Sequence, residues 1–256
     1  MDLVLFAGPV TLTPAHQQVD WHGRDVRVAL IQGSGSSNFR ALGESLRDAD
    51  GRILPNVLRR YAPGLEPDKI ALASFSAGYG LVDSILAVPE DRARITATVL
   101  SDSVFLSGDP RTGVGGPVHP GIVEFGAEAV GGSKLLVATE AHTTDGTHLD
   151  GMQSWTLTWQ AIQARARCLA CGPSEVQPPA PVPPAPEGWW RLGSECWWGD
   201  YGNTVSHGDH TTELGPLVWQ GFLAPWLAGT SSLVWLGAAF GVAVGYGLWK
   251  ATAASR

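Results

Sequence analysis

The fold of this chain is decided by residues 69–80, which read Lys-Ile-Ala-Leu-Ala-Ser-Phe-Ser-Ala-Gly-Tyr-Gly. The apolar run at residues 70–73 predicts a buried strand, and the amphipathic segment at residues 79–88 predicts a helix. The residues between them are mostly small, which lets the strand and helix backbones pass close together at a sharp turn. Ser76 is therefore expected at the tip of this turn, with its hydroxyl exposed above the edge of a sheet.

Ser76 stands where a nucleophilic serine would stand. Residues 74–78, Ser-Phe-Ser-Ala-Gly, match the pattern Gly-x-Ser-x-Gly except that Ser74 replaces the first glycine. The amide of Ala77 would point at an oxyanion formed beside the serine, because it lies at the start of the helix. A turn of small residues also joins strands to helices in non-catalytic α/β proteins, so these residues alone leave both interpretations open.

The composition is typical of a globular protein and argues against a nucleic-acid partner. A chain of 256 residues, 44% of them apolar, can hold one large α/β domain or two small ones. The net charge is −7, and the 17 basic residues are scattered, so no basic stripe is present to neutralise phosphates. No secretory signal is visible, because Asp2 is acidic and Gly8 and Pro9 interrupt the first apolar run, which we interpret as a strand.

Segments with the apolar pattern of a strand alternate with segments that have the pattern of a helix along the rest of the chain. Further strands are predicted at residues 25–31, 95–100 and 134–138, and helices at residues 39–47, 57–61, 122–130, 154–169 and 217–227, the last of them broken near Pro225. Strands that alternate with helices form parallel crossovers, so we predict a three-layer α/β/α sandwich with a mostly parallel sheet. Functional residues in such sheets lie at the carboxyl ends of the strands.

A serine hydroxyl becomes a nucleophile when an imidazole accepts its proton and a carboxylate orients that imidazole. Asp102 follows the next predicted strand after Ser76 and is preferred over Asp145, which lies several residues into a later polar loop. His210 and His207 precede the last predicted helix, and His210 is preferred because it is closer to that helix. The sequence therefore predicts a Ser76–Asp102–His210 triad, with His207 and Asp145 as alternatives.

These features resemble the serine hydrolases of the α/β-hydrolase superfamily. The resemblance rests on residues 75–80 (Phe-Ser-Ala-Gly-Tyr-Gly), on strands that end at Asp102 and near His142, and on a late histidine before a closing helix. It covers residues 25–227, and only the turn at the serine is a specific motif. It implies that Ser76 is the nucleophile and that backbone amides hold the oxyanion, namely those of Ala77, Gly33 and Ser34.

Two classes of function stay open. The first is a serine hydrolase that cleaves an ester, in preference to an amide, through an acyl-enzyme on Ser76, with no cofactor and no metal. Its substrate would be a small-molecule, lipid or cell-wall-type ester. The second is a non-catalytic α/β-hydrolase-like module that is anchored at a membrane and acts in binding or as a scaffold.

A membrane segment is predicted at the C-terminus. Residues 233–249 carry no charge and, with their flanks, reach the roughly 20 residues needed to span a bilayer. We therefore predict a domain at residues 1–229, a transmembrane helix at residues 230–250 and a tail at residues 251–256. One face of this helix carries glycines at a spacing of four, which favours a homodimer through Gly237, Gly241 and Gly245.

The orientation of this single-pass anchor is ambiguous in the sequence. Lys250 and Arg256 follow the segment, which places the C-terminus in the cytoplasm and the domain outside. The missing secretory signal instead favours a domain in the cytoplasm. Both orientations therefore remain open.

Residues 172–188 contain seven prolines and predict an extended loop within the domain. Together with residues 107–120 they are expected to cover the pocket. A tryptophan-rich segment follows at residues 189–198, and we assign it to the same domain because the sheet still lacks a last strand. The tryptophans suit sugar or lipid contact if exposed, and the core if buried.

The cysteines have several interpretations. Cys168 and Cys171 form a Cys-x-x-Cys pair at the end of a predicted helix, whereas a redox pair is activated at a helix N-terminus, so thioredoxin-like activity is not expected. A disulfide from Cys196 to either of them, plain thiols, and a less favoured zinc site that adds Cys196 and His207 stay open.

Overall fold

The computed structural model of this protein describes residues 1–33, 36–109, 111–112, 114–142, 148–149, 151–167 and 173–229. The predictions made for Ser34, Asp145, Cys168 and Cys171 fall outside these ranges. So do those for residues 230–250, including the glycine face at Gly237, Gly241 and Gly245, and for the tail. Within the described ranges, no helix is both long enough and apolar enough to cross a membrane.

Ten strands are seen in these ranges. They are β1 (Asp2–Gly8), β2 (Val26–Gln32), β3 (Ile70–Phe75), β4 (Ile95–Ser101), β5 (Gly108–Asp109), β6 (Val114–Gly115), β7 (Leu135–Glu140), β8 (Ser174–Val176), β9 (Gly188–Leu192) and β10 (Cys196–Asp200). Eight of them form one sheet in the order β2-β1-β3-β4-β7-β10-β9-β8, and β5 pairs only with β6. All neighbours in the large sheet are parallel except β9, which is antiparallel to both β10 and β8.

The helices before the C-terminal third are α1 (Pro14–Gln17), α2 (Ser36–Ser45), α3 (Leu54–Tyr61), α4 (Tyr79–Leu86), α5 (Pro89–Arg94), α6 (Pro120–Val130) and α7 (Gly151–Arg165). A 3₁₀ turn at Ser76–Gly78 precedes α4. The C-terminal helical segment, residues 210–228, joins π-helical turns at His210–Leu214 and Trp219–Leu223 to α8 (Gly215–Val218) and α9 (Ala224–Ala228).

Helices cover both faces of the sheet. Every residue of β1 is buried, and its side chains alternate, with Leu3 and Leu5 in one core and Val4 and Phe6 in the other. Helices α2, α3, α4, α6 and α7 contribute to the first core, and the C-terminal helical segment contributes to the second. A strand buried on both faces is typical of parallel α/β sheets, and the prediction of a mostly parallel α/β sheet is confirmed.

The proline-rich and tryptophan-rich stretches both belong to this sheet. The first was predicted as a loop, yet Ser174–Val176 form the edge strand β8, and Val182 beyond it is buried in the second core. The tryptophan-rich stretch supplies β9 and β10, as expected for the missing last strand. Trp189, Trp197 and Trp198 are buried, so these three side chains serve the core.

The last predicted helix is longer than expected. Helical structure begins at His210 rather than near residue 217, and it continues through Pro225 to Ala228 without the predicted break. A π-helical turn lies directly before the proline. Its wider backbone relieves the clash between a proline ring and the carbonyl group four residues earlier.

The order of the strands reverses beside Ser76. The chain passes from β1 to β2 on one side and then to β3 on the other side of β1. Ligands of open α/β sheets bind at such a reversal, outside the carboxyl ends of the strands. Ser76 directly follows β3, so its turn lies at this reversal.

Candidate active site

The turn that carries Ser76 is strained. Ser76 has a φ of 52°, which is rare for a residue with a side chain and is found mostly where the surrounding structure enforces it. The turn is also packed too closely for a larger residue at Gly78, because a Cβ there would collide with the carbonyl oxygen of Ala7 at the end of β1. Strand β3, the turn and α4 therefore meet as the sequence predicted.

Two further serines hold this turn. The side chain of Ser103, just beyond the end of β4, donates a hydrogen bond of 2.9 Å to the carbonyl oxygen of Ser76. Its Oγ also lies 2.7 Å from the Oγ of buried Ser74. Ser74 is the residue that replaces the usual first glycine, and its hydroxyl thus ties β3 to the end of β4 behind Ser76.

His207 is the histidine that contacts Ser76. Its Nε2 lies 2.9 Å from the Oγ of Ser76, and its Nδ1 lies 2.6 Å from the Oδ2 of Asp102. The imidazole packs against the ring of Phe75 at 4.6 Å and meets the ring of Phe105 edge-on at 6.0 Å. Its side chain is 37% exposed, so solvent and small molecules can reach it.

Asp102 is fully buried and held by backbone groups from neighbouring strands. Its amide donates to the carbonyl oxygen of Thr139 (2.6 Å), its carbonyl oxygen accepts from the amide of Ser76 (3.2 Å), and its Oδ1 accepts from the amide of Ala141 (3.2 Å). Its φ is 41°, so it is strained like Ser76. A Cβ on Gly151 would lie 3.1 Å from Oδ1, which shows how closely α7 begins against this carboxylate.

His210, the histidine preferred from sequence, does not contact Ser76. It lies at the start of the C-terminal helical segment, where it is fully buried, and its Nδ1 is 3.1 Å from the Oγ1 of Thr139. Burial lowers its pKa to about 4, so it is neutral near pH 7. The preference for His210 was wrong because His210 is itself the first residue of the helical segment and is buried with it. His207, three residues earlier, lies in the loop that crosses the sheet edge.

Two of the three predicted oxyanion donors, Ala77 and Gly33, lie in the described ranges. Ala77 lies in the turn directly after Ser76. Gly33 follows β2, and a Cβ there would come within 2.9 Å of the ring of Phe39. Helix α2, which begins at Ser36, packs beside the Ser76 turn. A donor from Gly33 or Ser34 stays a prediction, as does any role for Asp145.

Cys196 is the one cysteine among the described residues, and it lies at the start of β10. Cys196 is a buried free thiol whose pKa is raised by burial. Across the described parts of the chain, no group of three or more metal-binding side chains is found. The zinc and disulfide alternatives involve Cys168 and Cys171, which fall outside those parts.

Sequence reasoning missed the supporting residues of the site. Ser103, Phe75 and Phe105 touch Ser76 or His207 only because the ends of β3 and β4 are neighbours. In the sequence, Ser103 is recognisable only as a polar residue at the end of a predicted strand. An ordinary turn serine has the same position, so this feature does not identify a site residue.

Comparisons with known proteins leave the function to be argued from this geometry. No protein-family model matches the sequence, and no curated protein is similar to it.

Proposed function

We propose that this protein is a serine hydrolase that cleaves an ester, in preference to an amide, through an acyl-enzyme on Ser76. The observation that carries the proposal is the continuous chain of hydrogen bonds from Ser76 Oγ through His207 to Asp102, at 2.9 and 2.6 Å. Nucleophilic serines on several unrelated folds share this arrangement. The strained φ of Ser76 and the order Ser, Asp, His along the chain are also typical of α/β-hydrolases.

We assign a role to each residue from these hydrogen bonds. Buried Asp102 accepts from Nδ1–H of His207, which leaves Nε2 unprotonated and directed at the Ser76 hydroxyl. Ser76 Oγ attacks the ester carbonyl while its proton passes to Nε2, and Asp102 stabilises the resulting imidazolium. Nε2–H then protonates the departing alcohol. A water molecule, activated by the same nitrogen, hydrolyses the acyl-enzyme and regenerates Ser76.

The negative oxygen of the tetrahedral intermediate needs hydrogen-bond donors. We assign one to the amide of Ala77 and a second to the amide of Gly33 or Ser34. Loss of one such donor costs about 10²-fold or more in rate. We propose no cofactor and no metal for this reaction, and the substrate class is a small-molecule, lipid or cell-wall-type ester.

We also propose the C-terminal anchor at residues 230–250, with dimerisation through its glycine face. The proposal rests on the uncharged stretch at residues 233–249. The Nζ of Lys69 donates to the carbonyl oxygen of Leu227 at 2.6 Å, and Lys69 directly precedes β3. The end of α9 therefore lies at the amino edge of the sheet, opposite Ser76.

A fluorophosphonate probe tests the proposal, since it reacts covalently with activated serines. We expect the wild type to be labelled and Ser76→Ala to be unlabelled. Ser133→Ala, at an exposed serine before β7 on the opposite edge, is the matched control and should be labelled like the wild type. A folded wild type that resists the probe and hydrolyses no ester would contradict the proposal and favour the non-catalytic binding or scaffold module.

A further inference from the structure

A second histidine–aspartate pair lies at the same edge of the sheet as Ser76. The Nε2 of His142 is 3.1 Å from Oδ1 and 3.3 Å from Oδ2 of Asp200. The Asp200 side chain is 3% exposed and also accepts from the amide of Gly202 at 2.9 Å, whereas His142 is 33% exposed. A buried carboxylate thus holds a surface imidazole in one orientation.

This pair is connected to the proposed triad through the backbone. Ala141, the residue before His142, donates its amide to the carboxylate of Asp102. The amide of His142 donates to the carbonyl oxygen of Gly202, in the loop that leads to His207. His142 therefore lies beside the triad, at the ends of β7 and β10.

The strand order tells on which side of Ser76 the pair lies. Strands β4, β7 and β10 follow β3 on one side, whereas β1 and β2, with Gly33 after β2, lie on the other. His207 follows β10 and contacts Asp102 at the end of β4, so it reaches Ser76 from the side of β4 and β10. Since His207 protonates the departing alcohol, the alcohol part of the ester lies on the same side as His142.

The chemistry of the pair specifies what it can bind. Asp200 accepts the proton of Nε2, so in the neutral imidazole the Nδ1 of His142 is a hydrogen-bond acceptor, and no described residue binds it. An acceptor fixed at the edge of the site selects a donor such as a hydroxyl group. An ether or a hydrocarbon at the same place makes no such bond.

We propose that His142 binds a hydroxyl group on the alcohol side of the ester, so that the preferred substrates are esters of alcohols that carry further hydroxyl groups. The inference rests on the proposed hydrolase function. Asp200 is a positioning residue, because it acts through His142.

Two substrates with the same acyl group test the inference: glycerol monobutyrate and propyl butyrate, which differ only in hydroxyl groups on the alcohol. We expect kcat/KM of the wild type to favour the glycerol ester by about 3- to 10-fold, the contribution of one hydrogen bond. His142→Leu should bring this ratio close to one, because it removes the acceptor that only the glycerol ester can use. His142→Gln, whose amide oxygen is an acceptor, should restore part of the preference.

His22→Ala is the matched control, because His22 also lies beside an aspartate, Asp20, but before β2 on the amino edge of the sheet. It should leave the ratio unchanged. A wild type without preference, or a His142→Leu variant that retains it, overturns this inference while the hydrolase function stands. A wild type that hydrolyses neither ester and resists fluorophosphonate overturns both.

Discussion

Replacing Ser103 by alanine tests whether the Ser103 side chain stabilises the strained turn at Ser76. The variant loses the hydrogen bond to the Ser76 carbonyl oxygen and the bond to Ser74 Oγ. Each contributes about 0.5–1.5 kcal/mol net, so we expect a loss of about 1–3 kcal/mol in the free energy of unfolding. The loss should fall in the upper half of that range, because buried Ser74 is left without its partner.

The effect on reactivity should exceed that of a stability loss alone. Without Ser103 the turn can relax towards ordinary φ values and move Ser76 Oγ away from His207. Misplacement of a reacting atom by about 1 Å costs up to about 10²-fold in rate, so we expect fluorophosphonate labelling to slow at least about 10-fold. Stability is measured by urea unfolding, and labelling is measured in the absence of urea, where the variant stays folded.

Ser74→Gly is the informative companion variant. It restores the glycine usual at this position and removes only the Ser74–Ser103 bond, so labelling should slow less than in Ser103→Ala. Ser133→Ala should change neither stability nor labelling. A Ser103→Ala variant that is labelled at the wild-type rate would refute the reasoning, whatever its stability.

The two histidines of the C-terminal third should behave in opposite ways. His207→Ala should lower ester turnover by about 10³-fold or more, with little change in unfolding free energy, whereas His210→Ala should lower stability and keep measurable turnover; the reverse result would contradict the assignment. His210 contributes to the pH dependence of stability, because burial lowers its pKa from the ordinary value of 6.5 to about 4. The unfolded chain therefore binds more protons between these values, so stability contributed above pH 6.5 is lost as the pH falls towards 4, by about 2 kcal/mol between pH 7 and pH 5. Urea unfolding at both pH values should show a smaller loss for His210→Asn than for the wild type; equal losses would exclude this source.

Most strands of the large sheet and most helices could be predicted because their signals are local. An apolar run as short as residues 70–73 fits a buried strand better than a helix, and β3 forms there. β8 was missed because its three residues, which lie among prolines, are too few to show the alternation of apolar and polar residues that marks a strand. Their conformation is decided by pairing with β9. The last helix was predicted to break at Pro225 because a proline interrupts a regular α-helix. It continues after a π-helical turn, which has no sequence signal that we could use.

The sequence by itself determined the turn at Ser76 and the candidates at the strand ends, because a strand, small residues and a helix in succession permit few backbone paths. Only the tertiary structure decided between His207 and His210, because the two are three residues apart and both have small or polar neighbours in the sequence. The path of one loop across the sheet edge brings His207 to Ser76, and the helix that follows buries His210 beside Thr139. That path depends on how β10 pairs with β7, a contact between residues far apart in the chain.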